Sequence, residues 1–210
     1  MRLGICGLRS FFGPLSMSSV ANLLSWVNYM TLKVTIVVGN PKPASRTLKL
    51  AELLVHKLLG TQPFTLDIID LADHTAEIFA WPSEHMAELN ANAASSHLLV
   101  VASPTYKATY TGLLKAFLDR YPANALKGVV AIPVMTGADD GHSMAPVVNL
   151  GPLLVELGAS VPFRGFYFPL TKMAQLDELV DAAADEYAVV LEVMRALVAH
   201  LPQTETTGQL

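Results

Sequence analysis

Cysteine is all but missing from this chain, with one residue, Cys6, among 210. A single thiol closes no internal disulfide and furnishes no zinc cluster, so the fold must rest on packing alone. Charge is also scarce, at 15% of residues against 52% hydrophobic, which excludes a disordered polyelectrolyte. The 14 Lys and Arg against 18 Asp and Glu leave a net charge of −4 with no basic run, so no nucleic-acid groove is expected. Mean hydropathy is high at +0.41, yet no apolar run reaches the roughly 18 residues a membrane span requires. Several chemical signatures are missing too. There is no G-x-x-x-x-G-K-[ST], no G-x-G-x-x-G and no G-x-S-x-G, which argues against P-loop, Rossmann dinucleotide and α/β-hydrolase chemistry. No side chain reads as an activated nucleophile, so catalysis, if there is any, belongs to a bound cofactor.

What is present alternates between two periods. Lys33–Val38 is a β-branched run of the kind buried on both faces of a parallel sheet. Further strands are predicted at Phe64–Leu71, His97–Ala102, Val129–Met135 and Val161–Phe168. Between and after them, helical spacing occurs at Arg46–Leu59, Glu84–Ala94, Thr111–Arg120, Pro146–Leu157 and Met173–His200. Gly60 and Gly158 stand where C′ glycines close helices. Five strands alternating with helices give an α/β, doubly wound parallel sheet in three layers, read here in the order 2-1-3-4-5.

The first residues differ from this pattern. Residues 1–29 carry Arg2 and Arg9 and no acid, and removing them leaves 12 basic against 18 acidic side chains, a net of −6. A basic start followed by an apolar stretch from Phe11 to Val27 suits a leader, but Gly13 and Pro14 interrupt it and no A-x-A-like site follows. The plainer alternative is a start-site extension ahead of Met30. The expected organisation is therefore an N-terminal extension (1–29), one domain (30–201) and a flexible tail (202–210).

In such a sheet, ligands bind beyond the carboxyl ends of the strands where the order reverses, here between strands one and three. The loops leaving those strands are unusual. Gly39–Thr47 (GNPKPASRT) runs into a helix, with Gly39 and Asn40 permitting left-handed backbone and Pro41 and Pro43 stiffening the turn. Ser45, Arg46 and Thr47 bring two hydroxyls, a guanidinium and free N–H groups to the helix N-terminus, which physically is a phosphate site. From Thr31 to Ala51 there is no acid, while Lys33, Lys42, Arg46 and Lys49 are positive. Taken alone, the same residues equally suit an ordinary N-cap beside an incidental Arg.

After strand three, Ser103–Gly112 (SPTYKATYTG) offers backbone donors, hydroxyls and the aromatic face of Tyr106 to a planar heterocycle, with Lys107 adding charge beside a ring that becomes anionic on reduction. A solvent-facing connection with tyrosines covering a neighbouring helix is the alternative. A third loop, Thr136–Ser143 (TGADDGHS), borders the same rim. Asp139, Asp140 and His142 crowd on one loop without a partner cluster, a poor metal-ligand set.

With GNPKPASRT and SPTYKATYTGLLKAFLDR in these places, and a TG-x-x-x-x-H segment at Thr136–His142, the chain resembles the NAD(P)H-dependent FMN reductases over about residues 32–170. Within that family it is similar to the components that supply reduced flavin to sulfonate-type monooxygenases. The resemblance implies a flavodoxin-like fold, with FMN and NAD(P)H as cofactors, hydride transfer carried by the flavin and no catalytic side chain. It implies that Ser45, Arg46 and Thr47 hold the FMN phosphate. Pro104, Thr105, Tyr106 and Lys107 would then follow the ribityl chain and isoalloxazine, with Thr136 and Gly137 near the ring's far side. It further implies a cytoplasmic homodimer or homotetramer with a flavin-dependent monooxygenase as partner. Two other readings stay open: an NAD(P)H:quinone or azo-type reductase with tightly held FMN, and a flavodoxin-like electron carrier.

Overall fold

The computed structural model of the protein describes residues 31–200. The expected extension (1–29) and tail (202–210) lie outside the described residues. The strands are β1 (Leu32–Val38), β2 (Phe64–Asp70), β3 (Leu98–Pro104), β4 (Val130–Gly137) and β5 (Phe166–Pro169), all parallel in the order β2-β1-β3-β4-β5. The helices are α1 (Arg46–Leu59), α2 (Glu84–Ala94), α3 (Gly112–Leu118), α4 (Gly151–Glu156, preceded by a π-helical turn at Pro146–Leu150) and α5 (Leu176–His200, preceded by a 3₁₀ segment at Leu170–Gln175).

Alternation along the buried strands sorts the side chains into two cores. Val34, Ile36 and Val38 of β1 and Val100 and Ala102 of β3 face Leu50, Leu54 and Val55 of α1 and Val180 and Ala184 of α5. Val37, Leu99 and Val101 point the other way, toward Met86 of α2, Leu114 and Phe117 of α3 and Leu154 of α4. Each such fully buried Leu, Val or Phe contributes about 1.5–3 kcal/mol, so the three-layer sandwich follows from the strand pattern itself. Among the described residues no helix is long and apolar enough to cross a membrane.

The fifth strand is shorter than the expected Val161–Phe168, and Pro133 explains it. Val130 N–H reaches His97 O on the β3 side, and Ala131 N–H reaches Ser160 O on the other. The alternation turns Pro133 toward the β5 side, where it has no N–H to give. The chain makes one bridge at Ser160, leaves the ladder, and rejoins it at Phe166. It returns through Gly165, at φ +78, where a Cβ would stand 2.8 Å from Pro146 Cβ.

Candidate functional site

The carboxyl ends of β1 and β3 lead into the two loops singled out in the sequence, and a cleft of about 490 Å³ lies between them. Ser45, Arg46, Thr47, Pro104, Tyr106 and Thr136 line it together with Asn40, Lys42, Ala44, Lys49 and Leu170. Three of its lining residues are cations and none is an acid.

The loop after β1 is held by its own polar groups. Asn40 Oδ1 accepts from Lys42 N at 3.0 Å, and its Nδ2 donates to Thr47 Oγ1 at 3.2 Å. Ser45 is the N-cap of α1, its Oγ accepting from Leu48 N at 3.2 Å. The hydroxyl proton of Ser45 is not spent in that bond. By helix geometry the N–H groups of Arg46 and Thr47 have no intrahelical acceptor, and they carry the positive end of the 14-residue α1 dipole. Thr47 Oγ1 also bonds Thr136 Oγ1 at 2.8 Å, both hydroxyls being buried, which joins the α1 start to the end of β4.

Gly39 and Asn40 are not left-handed as the sequence suggested; that conformation falls on Ala44, at φ 50. Gly39 is needed for space instead, because a Cβ there would stand 2.4 Å from Leu114 Cβ. Ala44 is fixed by Asp70, whose Oδ2 accepts the Ala44 N–H at 3.0 Å while Oδ1 accepts from Ala72 N at 3.3 Å. The sequence reading missed Asp70. Its signal was faint, one acid at the end of the second strand and 26 residues from its partner.

The loop after β3 folds back on itself. Tyr106 and Thr109 exchange backbone hydrogen bonds (2.9 and 3.3 Å) around Lys107 and Ala108, which have φ of 51 and 71. A two-residue turn with both φ positive normally carries Asn or Gly, so Lys and Ala here hold strain of roughly 1–2 kcal/mol each. Of the four non-glycine residues with positive φ among those described, three are Ala44, Lys107 and Ala108. Ala44 lines the cleft, and Lys107 and Ala108 directly follow Tyr106, which borders it. The base of the turn is tied down as well. Ser103 Oγ accepts from Thr111 N at 3.0 Å, and Thr111 Oγ1 donates to Gly39 O at 2.5 Å, linking the two loops.

The remaining expected residues are placed less directly. Thr105 donates its N–H to Thr136 O at 2.6 Å, and its buried hydroxyl faces the Tyr167 phenol. Lys107 is exposed on the turn. Gly137 does not line the cleft: its Cα faces Tyr167, whose Oη would lie 1.8 Å from an added Cβ. Tyr167 Oη donates to Asp139 O at 2.7 Å. Burial, and next the Asp139 charge, push this phenol above its ordinary value. Asp140 pairs with Lys172 at 3.0 Å. In all, the arrangement offers a cationic, donor-rich end and a polar-aromatic end, able to take a planar molecule bearing a phosphate.

The comparisons agree with that geometry. Residues 32–171 match the family model described as NADPH-dependent FMN reductase. The chain is 30% identical over 138 residues to an FMN reductase (NADPH) of Escherichia coli strain K12, covering 65% of this chain and 72% of that protein. It is 34% identical over 128 residues to the NADH-dependent FMN reductase SfnF of Pseudomonas fluorescens Pf0-1, covering 58% and 68%. Among solved structures, the apo form of the NADH:FMN oxidoreductase EMOB superposes with a TM-score of 0.68 at 29% identity, over 76% of this chain and 89% of that one. This chain is a member of the NADPH-dependent FMN reductase family.

Proposed function

We propose that this protein reduces FMN with NADH or NADPH and releases the reduced flavin to a partner monooxygenase. The observation that carries the reading is the cleft at the β1–β3 crossover, with three cations, no acid and a helix N-terminus, in a chain of this family. The residues present fit FMN. The N–H groups of Arg46 and Thr47, the Ser45 hydroxyl and the Arg46 guanidinium suit the phosphate. When bound, FMN supplies the hydride acceptor, and the nicotinamide supplies the hydride.

The chain's own residues bind and orient. Tyr106, 53% exposed, presents an aromatic face at the cleft mouth, and the strained turn behind it fixes its direction. Pro104 and Thr136, both buried, form the cleft floor. Lys42 and Lys49 add positive charge at the phosphate end, and Lys107 on the turn would favour an anionic ring without acting as acid or base. Because Lys42, Arg46, Lys49 and Tyr106 are all exposed, the cleft opens directly to solvent, which suits a flavin that enters and leaves. The same reading takes the protein to be cytoplasmic and a homo-oligomer, dimer or tetramer. Oxidation of NADH and NADPH by purified protein, with and without added FMN, tests it. Turnover that saturates with free FMN is expected. A yellow protein that ignores added FMN and requires a quinone or azo dye would overturn flavin release.

A further inference from the structure

We propose that Tyr167 and Lys172 are positioning residues for the flavin: together they latch the loop Ala138–His142 into a wall facing the Tyr106–Thr109 turn. The inference rests on the FMN reading above. Beyond Gly137 the loop has left the sheet; it closes one 3₁₀ turn, Asp140–His142, with Ser143 N–H donating to Asp140 O at 3.1 Å, and side chains tie that turn to the rest of the domain. Tyr167 Oη donates to Asp139 O at 2.7 Å, and Lys172 Nζ reaches both carboxylate oxygens of Asp140 at 3.1 and 3.0 Å. Asp139 Oδ1 accepts from Gly141 N at 2.9 Å, which stiffens the loop between the two attachments.

Space for the phenol exists because residue 137 is Gly; any Cβ there would collide with Tyr167 Oη and Cζ, at 1.8 and 2.7 Å. The glycine at the end of β4 therefore admits the latch. The loop in turn borders a second cavity of about 280 Å³, whose lining includes Gly141, His142 and Ala108. Ala108 belongs to the same turn whose Tyr106 borders the phosphate-binding cleft, so the turn separates the two spaces. Asn149 Nδ2 holds that turn from the far side, donating to Ala108 O at 2.9 Å. The turn and the loop are thus anchored separately, and the latch sets the spacing between them. Both attachments are partly exposed, so losing one loosens the loop without unfolding the sheet.

The test uses the full-length apo-protein. FMN is titrated by quenching of its fluorescence, and the visible circular dichroism of bound flavin is recorded at saturating FMN. Tyr167→Phe keeps the ring and removes only the hydroxyl; it should raise the Kd for FMN by about 3- to 10-fold. Lys172→Ala should raise it by about 2- to 5-fold, and Lys172→Arg should restore it. Both weakened variants should alter the dichroism of the bound ring, whereas Arg46→Ala at saturation should not. A thermal melt within a few degrees of the parent keeps a folding defect apart from a positioning defect. An unchanged Kd in both variants overturns the proposal, as does a raised Kd with unchanged dichroism. Failure of the parent protein to bind FMN would overturn the underlying functional reading instead.

Discussion

Replacing Gly39 by Ala tests whether the two ligand loops are packed as a unit. The added Cβ would stand 2.4 Å from Leu114 Cβ, 3.1 Å from its Cα and 3.2 Å from its Cγ. Carbon atoms ordinarily rest about 3.5–4.0 Å apart, so α3 would have to retreat by roughly an ångström. It is poorly placed to do so. Leu114 is fully buried, its N–H is capped by Thr111 Oγ1 at 3.1 Å, and that hydroxyl donates to Gly39 O at 2.5 Å. Retreat therefore adds a damaged cap, about 1 kcal/mol, to an overpacking cost of about 1–3 kcal/mol. A loss of about 2–4 kcal/mol corresponds to a melting temperature lower by roughly 5–15 °C in a domain of this size. Melts of apo-protein by far-ultraviolet circular dichroism give the number. The double variant Gly39→Ala with Leu114→Ala sharpens the test, since alanine retains the colliding Cβ and no rescue is expected. A Gly39→Ala melt within about 2 °C of the parent, or rescue by Leu114→Ala, would refute the reasoning.

Two further outcomes follow from the same contacts. Asp70→Asn turns one of two acceptor oxygens into a donor facing an N–H, at Ala44 or Ala72, and should cost about 1–3 kcal/mol while weakening FMN binding. A thermal melt and an FMN titration check it, and no change in either would remove the tether from the account. Tyr121 donates to Asn90 O at 3.1 Å and is pushed by burial from 10.0 up to about 12. A phenol whose folded pKa exceeds its unfolded one contributes stability that is complete below pH 10 and is lost as pH rises toward 12. Melts across that window should show Tyr121→Phe losing less stability with rising pH than the parent; parallel curves would contradict the assignment.

Much of this site was legible because it is local. The loop after β1 and its N-cap sit within nine consecutive residues, Gly39–Thr47, and the β-branched runs on either side fix where those residues must go. The place of the crossover between β1 and β3 followed once those strands were read in the order 2-1-3-4-5, which the structure has. What escaped was non-local or geometric. Asp70 reaches Ala44 across 26 residues, and Tyr167 reaches Asp139 across 28, so neither leaves a pattern in any short window. Gly39 and Gly137 read as flexible or ligand-facing, yet each serves a close approach, of Leu114 and Tyr167 respectively. Strand five was read too long because Val161 and Phe163 keep the apolar alternation, while the missing N–H that ends the pairing belongs to Pro133 on another strand.

The central claim is that the α1 N-terminus holds the FMN phosphate, and Arg46→Ala examines it most directly. Arg46 is exposed at the cleft edge, so its removal leaves the fold intact. Loss of a charge-assisted contact of about 1.5–3 kcal/mol corresponds to a Kd for FMN raised by roughly 10- to 150-fold. Titration of the apo-protein should show that rise, with kcat at saturating FMN falling by a much smaller factor. An FMN affinity unchanged by Arg46→Ala would contradict the account.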